Sequence, residues 1–150
     1  MLIREKVDQA KGILKEFDTD CWITFTRESQ INGDPCLPFL LDADVTWHTA
    51  LIITRSGGTH AIVGQYDKRN VEELGAWDEV VGFVEGVKEP LQAYLRKIDP
   101  KEIAINYSKD SEICDGLSHG MYLTLHDILS EVGFENRLVP AEKVVSALRQ

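Results

Sequence analysis

The sequence predicts an α/β domain, a mixed β-sheet flanked by helices. Three observations carry that prediction. Runs rich in β-branched and aromatic residues alternate with segments of helical period along the chain. Two of the β-rich runs, ALIITR and THAIVG, flank Ser56-Gly57-Gly58, the pattern of a β-hairpin, so the sheet cannot be wholly parallel. No repeat, low-complexity tract or linker divides the 150 residues, which fit a single domain over 1–150.

The elements follow in order. Ile3, Val7, Ala10, Leu14 and Phe17 recur at steps of four and three, one apolar face of an opening helix. Asp18-Thr19-Asp20 breaks it. CWITFT (Cys21–Thr26) is a strand buried on at least one face. RESQINGDPCLP (Arg27–Pro38) is a long turn-rich segment with Asn32-Gly33 and Asp34-Pro35 as breakers. FLLDADVTWH (Phe39–His48) carries mixed signals before the hairpin. A short helix is expected over Asp67–Gly75 and a strand over Glu79–Glu85. Glu89-Pro90 opens a helix whose stripe is Leu91, Leu95 and Ile98. Glu102–Tyr107 is a strand. Leu117–Val132 is a long helix stopped by Gly133, with Asp115 as its expected N-cap. ENRLVP is a short strand, and Pro140-Ala141-Glu142 starts a last helix through Val144, Val145 and Leu148.

Composition narrows the function classes. The net charge is −9, from 16 basic and 25 acidic residues. Such a chain repels phosphate backbones and anionic membranes, and no basic stripe offsets this. Neither a nucleic-acid nor a membrane partner is expected. No stretch approaches the ~18 apolar residues of a membrane span. Cys21, Cys36 and Cys114 match no zinc spacing and read as reduced thiols of a cytoplasmic protein. On the same reading the Asn106-Tyr107-Ser108 sequon has no role. Phosphate-loop and nucleophile-elbow motifs are absent.

Two groups of residues invite chemistry. Asp42, Asp44 and Asp67 suggest a carboxylate metal site at strand ends. The Asp115–His126 segment gathers a cysteine's neighbours, carboxylates and two histidines. On a helical wheel Leu117, Met121, Leu125, Ile128 and Val132 form the core face, and His119, Leu123, His126 and Ser130 point the other way. His119 and His126 are ~10.5 Å apart along the axis at 1.5 Å per residue, too far to share one metal as an i, i+4 pair does. A face carrying His119, Tyr122, Leu123 and His126 suits contact with another domain or subunit better than it suits chelation. Trp22, Phe25, Trp47, Trp77 and Phe83 are expected in the core. His48 and His60 are expected as ordinary strand histidines, and Cys114 as a buried apolar side chain.

The whole order of elements resembles the N-terminal domain of the creatinase, prolidase and Xaa-Pro aminopeptidase family. DTDCWITFT, ALIITRSGGTHAIVG and KEIAINYSKD carry the likeness, with INYSKDSEICDGLSHGMYLTL and the closing LVPAEKVVSALRQ. DPCLPFLLDADVTW departs most from the family's tyrosine-leucine-threonine-glycine pattern. The resemblance implies a ribonuclease H-like fold without nuclease chemistry. It also implies a separate C-terminal pita-bread domain, absent from this chain, in which two Asp, one His and two Glu hold a dinuclear divalent metal. None of those ligands can be matched here. The resemblance therefore implies no catalytic residue, no metal and no cofactor in this domain, and no enzyme activity from this chain alone. It implies the catalytic domain as partner, and a homodimer or higher homo-oligomer in which this domain shapes substrate access. The alternative is a small stand-alone enzyme or ligand-binding module using Asp42, Asp44 and Asp67 or the Asp115–His126 segment.

Overall fold

A computed structural model describes residues 2–29 and 33–150; Asn32, read above as a breaker, lies outside them. Helix α1 (Leu2–Glu16) buries Ile3, Val7, Ala10, Ile13 and Leu14, the predicted stripe with Ile13 added. Phe17 falls beyond the helix and is 37% exposed. The reason is the chain reversal: Asp18 takes a left-handed φ of 54°, and Thr19 N–H reaches back to Leu14 O at 2.9 Å. Arg55 fastens this corner by pairing with Asp18 and Asp20.

Strand β1 (Cys21–Thr26) is buried at all six positions. Alternate residues therefore serve opposite layers. After the short helix α2 (Leu37–Leu40) comes the hairpin, β2 (Thr49–Thr54) and β3 (Thr59–Gly64). Its loop closes through Thr54 N–H to Gly58 O at 2.9 Å, and Gly57 supplies the φ of 101°. Helix α3 (Lys68–Glu73), preceded by a 3-10 turn, leads to β4 (Glu79–Phe83). Helix α4 (Lys88–Ile98), β5 (Ile103–Ile105), α5 (His119–Ser130), β6 (Leu138–Pro140) and α6 (Glu142–Arg149) complete the chain.

The six strands form one sheet in the order β4-β3-β2-β1-β5-β6. Only β2 runs against the others: it is antiparallel to β1 and β3, while β1–β5, β5–β6 and β3–β4 are parallel. The predicted mixed sheet is what forms. Helices cover both faces. On one side Trp22, Leu51, Ile53, Ala61, Val63 and Ala104 meet α1, α2, α3 and α6. On the other Ile23, Phe25, Ile52, Ile62, Ile103 and Ile105 meet α4 and α5. Gln92 Nε2–H donates to Ile128 O at 2.9 Å and ties α4 to α5.

The predicted aromatic core divides. Trp22, Phe25 and Trp77 are buried, and both indole N–H groups are satisfied. Trp47 is 36% exposed and Phe83 half-buried; the two rings lie 5.9 Å apart at the rim. Trp47 sits over Gly64, where a Cβ would come within 2.8 Å of its ring. His60 is buried and satisfied, with Nδ1 2.7 Å from Glu79 and its ring stacked on Tyr94 at 3.8 Å.

Candidate functional site

The most connected polar group lies at the C-terminal ends of β1 and β5. Trp22 and Thr24 project from β1 toward the α1 layer. Asn106 follows β5, one residue beyond the Ile23–Ile105 pair. Its Oδ1 accepts the Trp22 indole N–H at 2.7 Å. Its Nδ2 donates to Thr24 Oγ1 at 3.1 Å and to Asp34 Oδ2 at 3.0 Å. Its backbone oxygen accepts Leu117 N–H at 2.8 Å. Asp34 completes the group by accepting Cys36 N–H at 2.9 Å.

Asp34 is only 2% exposed. Burial pushes its carboxyl above the usual range, and the hydrogen bonds from Cys36 and Asn106 pull the other way. Gly116 packs directly on the carboxylate; a Cβ there would collide with it. The loop before α2 is thus pinned through the Asp34 side chain, and the loop before α5 through the backbone oxygen of Asn106. Every polar atom in this cluster faces a partner inside the domain, so its chemistry is structural. Local sequence does not reveal it: Asp34 stands in a turn-forming Asp-Pro pair and Asn106 in a sequon. The available signal was a carboxamide placed directly after a buried strand.

The three predicted aspartates do not converge. Asp42 and Asp44 are exposed and share a shallow cleft with Asp34. Asp44 accepts Ser29 Oγ–H at 3.0 Å. Asp67 is buried, accepting Thr46 N–H at 3.3 Å, and shares only a small enclosed cavity with Asp44. Among the described residues no group of three or more His, Cys, Asp or Glu is placed to hold a metal ion. All three thiols are buried, and burial pushes Cys21 and Cys36 far above the ordinary thiol range, so they stay protonated.

The Asp115–His126 segment divides at Ser118. Asp115 is not the N-cap: its Oδ1 accepts Ser108 N–H at 3.2 Å in a turn where Cys114 N–H meets Ser111 O. Ser118 has the extended cap conformation, and its Oγ accepts Met121 N–H at 3.3 Å, so α5 begins at His119. Cys114 is buried as expected. Leu117, Met121, Leu125 and Ile128 are buried, joined by Leu129; Val132 is half-buried past the helix end. On the other face His119 is exposed and Leu123 is 47% exposed. Tyr122 lies half-buried between Tyr107 (6.4 Å) and His126 (6.0 Å). Ser130 Oγ–H caps His126 O at 2.8 Å. On this face the Tyr122 and His126 rings meet, His119 and Leu123 are exposed, and Ser130 Oγ approaches His126 Nδ1 at 3.4 Å.

A mixed sheet of this order, helix-covered on both faces, defines the class: the creatinase/prolidase N-terminal fold. The solved structures that share it are specific. Aminopeptidase P, an Xaa-Pro aminopeptidase from Streptococcus thermophilus, matches over 100% of both chains at 14% identity and a TM-score of 0.64. The creatinase/prolidase N-terminal domain of an X-Pro dipeptidase from Streptococcus pyogenes matches with 85% of this chain and 89% of that one, at 16% identity and a TM-score of 0.61. The Xaa-Pro dipeptidase from Bacillus anthracis matches over 98% of this chain but 36% of its own, at 13% identity and a TM-score of 0.67. The likeness is one of fold. No protein-family model matches the sequence, and no curated protein does. No helix among the described residues is long and apolar enough to cross a membrane.

Proposed function

We propose that this chain is a non-catalytic N-terminal accessory domain of an Xaa-Pro aminopeptidase- or dipeptidase-like metallohydrolase of the cytoplasm. The observation that carries the reading is the pair of coverages: all of a shorter solved chain, and about a third of the longer dipeptidase. The domain associates with a catalytic domain that holds the dinuclear metal, helps its oligomerisation and limits which peptides reach it. The α5 face of His119, Tyr122, Leu123 and His126 is the contact surface. Its support is the exposure of Leu123 beside three aromatic or imidazole rings on a helix whose other side is core.

The first test uses the chain by itself. After chelation and return of a divalent metal, it should not hydrolyse an Xaa-Pro dipeptide, and calorimetry should find no stoichiometric metal binding. Hydrolysis that survives this treatment overturns the accessory reading and returns attention to Asp42, Asp44 and Asp67.

A further inference from the structure

The two edges of the sheet are built differently. β6 is three residues long and ends in Pro140, which has no N–H to offer another strand. β4 is five residues, Glu-Val-Val-Gly-Phe, without proline or lysine. Among the described residues it is laddered only to β3, in parallel through His60–Glu79 to Gly64–Phe83. Its outer row of N–H and C=O groups is therefore open. Val80, Val81, Gly82 and Phe83 are partly exposed, and Val84, just beyond the strand, is 73% exposed. An open edge with three apolar side chains and no proline, lysine or bulge is a feature that domains ordinarily guard.

We propose that β4 is a self-association edge, paired antiparallel with β4 of a second copy across a two-fold axis to give one continuous sheet. A second copy fits for two reasons. Two-fold pairing closes both open edges at once and cannot propagate into a fibre, because β6 is guarded. The side chains also suit it. An axis normal to the sheet keeps each face on its own side, so residues of equal parity meet. Centred on Val81, the pairing sets Val81 against its own copy, Val80 against Gly82, and Glu79 against Phe83, with no like charges opposed. Centred on Gly82 it opposes Glu79 and Glu85, which selects the first register. Glu79 is already held by His60 on the inner side at 2.7 Å, so its charge is turned from the new ladder. This pairing is independent of the α5 contact, which lies on a different element.

The test is sedimentation of the chain from the low micromolar to the sub-millimolar range, with hydrogen exchange of the β4 peptide at both ends. The expected result is a monomer–dimer equilibrium in which β4 amides gain protection as dimer forms. Val84→Asp, at an exposed position outside the strand that this register sets opposite Asp78 of the second copy, places like charges together and should weaken dimerisation roughly tenfold, the effect of about 1.4 kcal/mol, without altering the fold. A monomer throughout, or a dimer whose β4 exchange is unchanged, overturns the proposal. Failure of the β4 edge leaves the peptidase assay above unaffected, so the two readings fall separately.

Discussion

The two polar regions of the domain lie in opposite layers of the sheet. In the α1 layer, Asn106 joins Trp22, Thr24 and Asp34 within 3.1 Å, all of them buried. In the α5 layer, Tyr122 meets His126 at 6.0 Å, and His119 and Leu123 are exposed on the same helix. The first region spends its hydrogen bonds on fixing two loops. The second has few hydrogen-bond partners within the domain. Polar residues in this fold therefore divide by whether their partner is already inside the chain, and residue type alone does not sort them: each region contains an aromatic ring, and each was built from residues that look equally reactive in the sequence.

Asn106→Leu tests the closed region most severely. The substitution preserves size but leaves the Trp22 indole N–H, Thr24 and the Asp34 carboxylate short of a partner. Unsatisfied buried groups cost ~1–3 kcal/mol each, and more when charged, so the loss should be about 4 kcal/mol in urea unfolding with little change in slope. A loss under about 1 kcal/mol would mean that water replaces the carboxamide and that the cluster is not closed.

A smaller effect separates Asp34 from ordinary carboxylates. Its folded-state value is raised, chiefly by burial. Between the ordinary value of 3.8 and the raised one, the folded state holds a proton that the unfolded state has lost. This group's contribution is thus fully present below pH 3.8 and is lost as pH rises through the folded value. Asp34→Asn removes the titration. The stability of the natural chain relative to the variant should fall as pH is raised from 3.8 upward and then level off. A relative stability that rises with pH instead would mean that the bonds from Cys36 and Asn106 outweigh burial.

Much of the fold was legible because burial has a period. The 3.6-residue stripe of α1, the β-rich runs of β1 to β3 and the Gly57 turn all announce themselves locally. What stayed hidden depends on contacts far apart in the chain. Asp34 and Asn106 are 72 residues apart, and no local pattern joins them. Asp115 and Ser118 are both good caps, and the turn that occupies Asp115 decides between them. Trp47 looks as apolar as Trp22; only the strand order places one at the rim and the other at the centre. The α5 face was visible as a wheel projection, because an amphipathic helix declares its two sides without reference to the rest of the fold.

That open face gives the smallest effect on stability and the sharpest contrast with Asn106. Leu123→Ser and His126→Ala remove exposed or half-exposed groups with no strong internal partner, so each should change unfolding free energy by no more than about 0.5 kcal/mol. If the face is the contact surface, the same changes should weaken association with the catalytic partner, measured by calorimetry, by roughly tenfold. The Asn106 variant predicts the reverse pattern, a large loss of stability with unchanged affinity for whatever fraction remains folded. Should Leu123→Ser leave association untouched, α5 is a solvated helix and the contact must be sought elsewhere. Should it destabilise the domain by several kcal/mol, the face is supporting the fold, and the division between a closed and an open polar region fails at its open end.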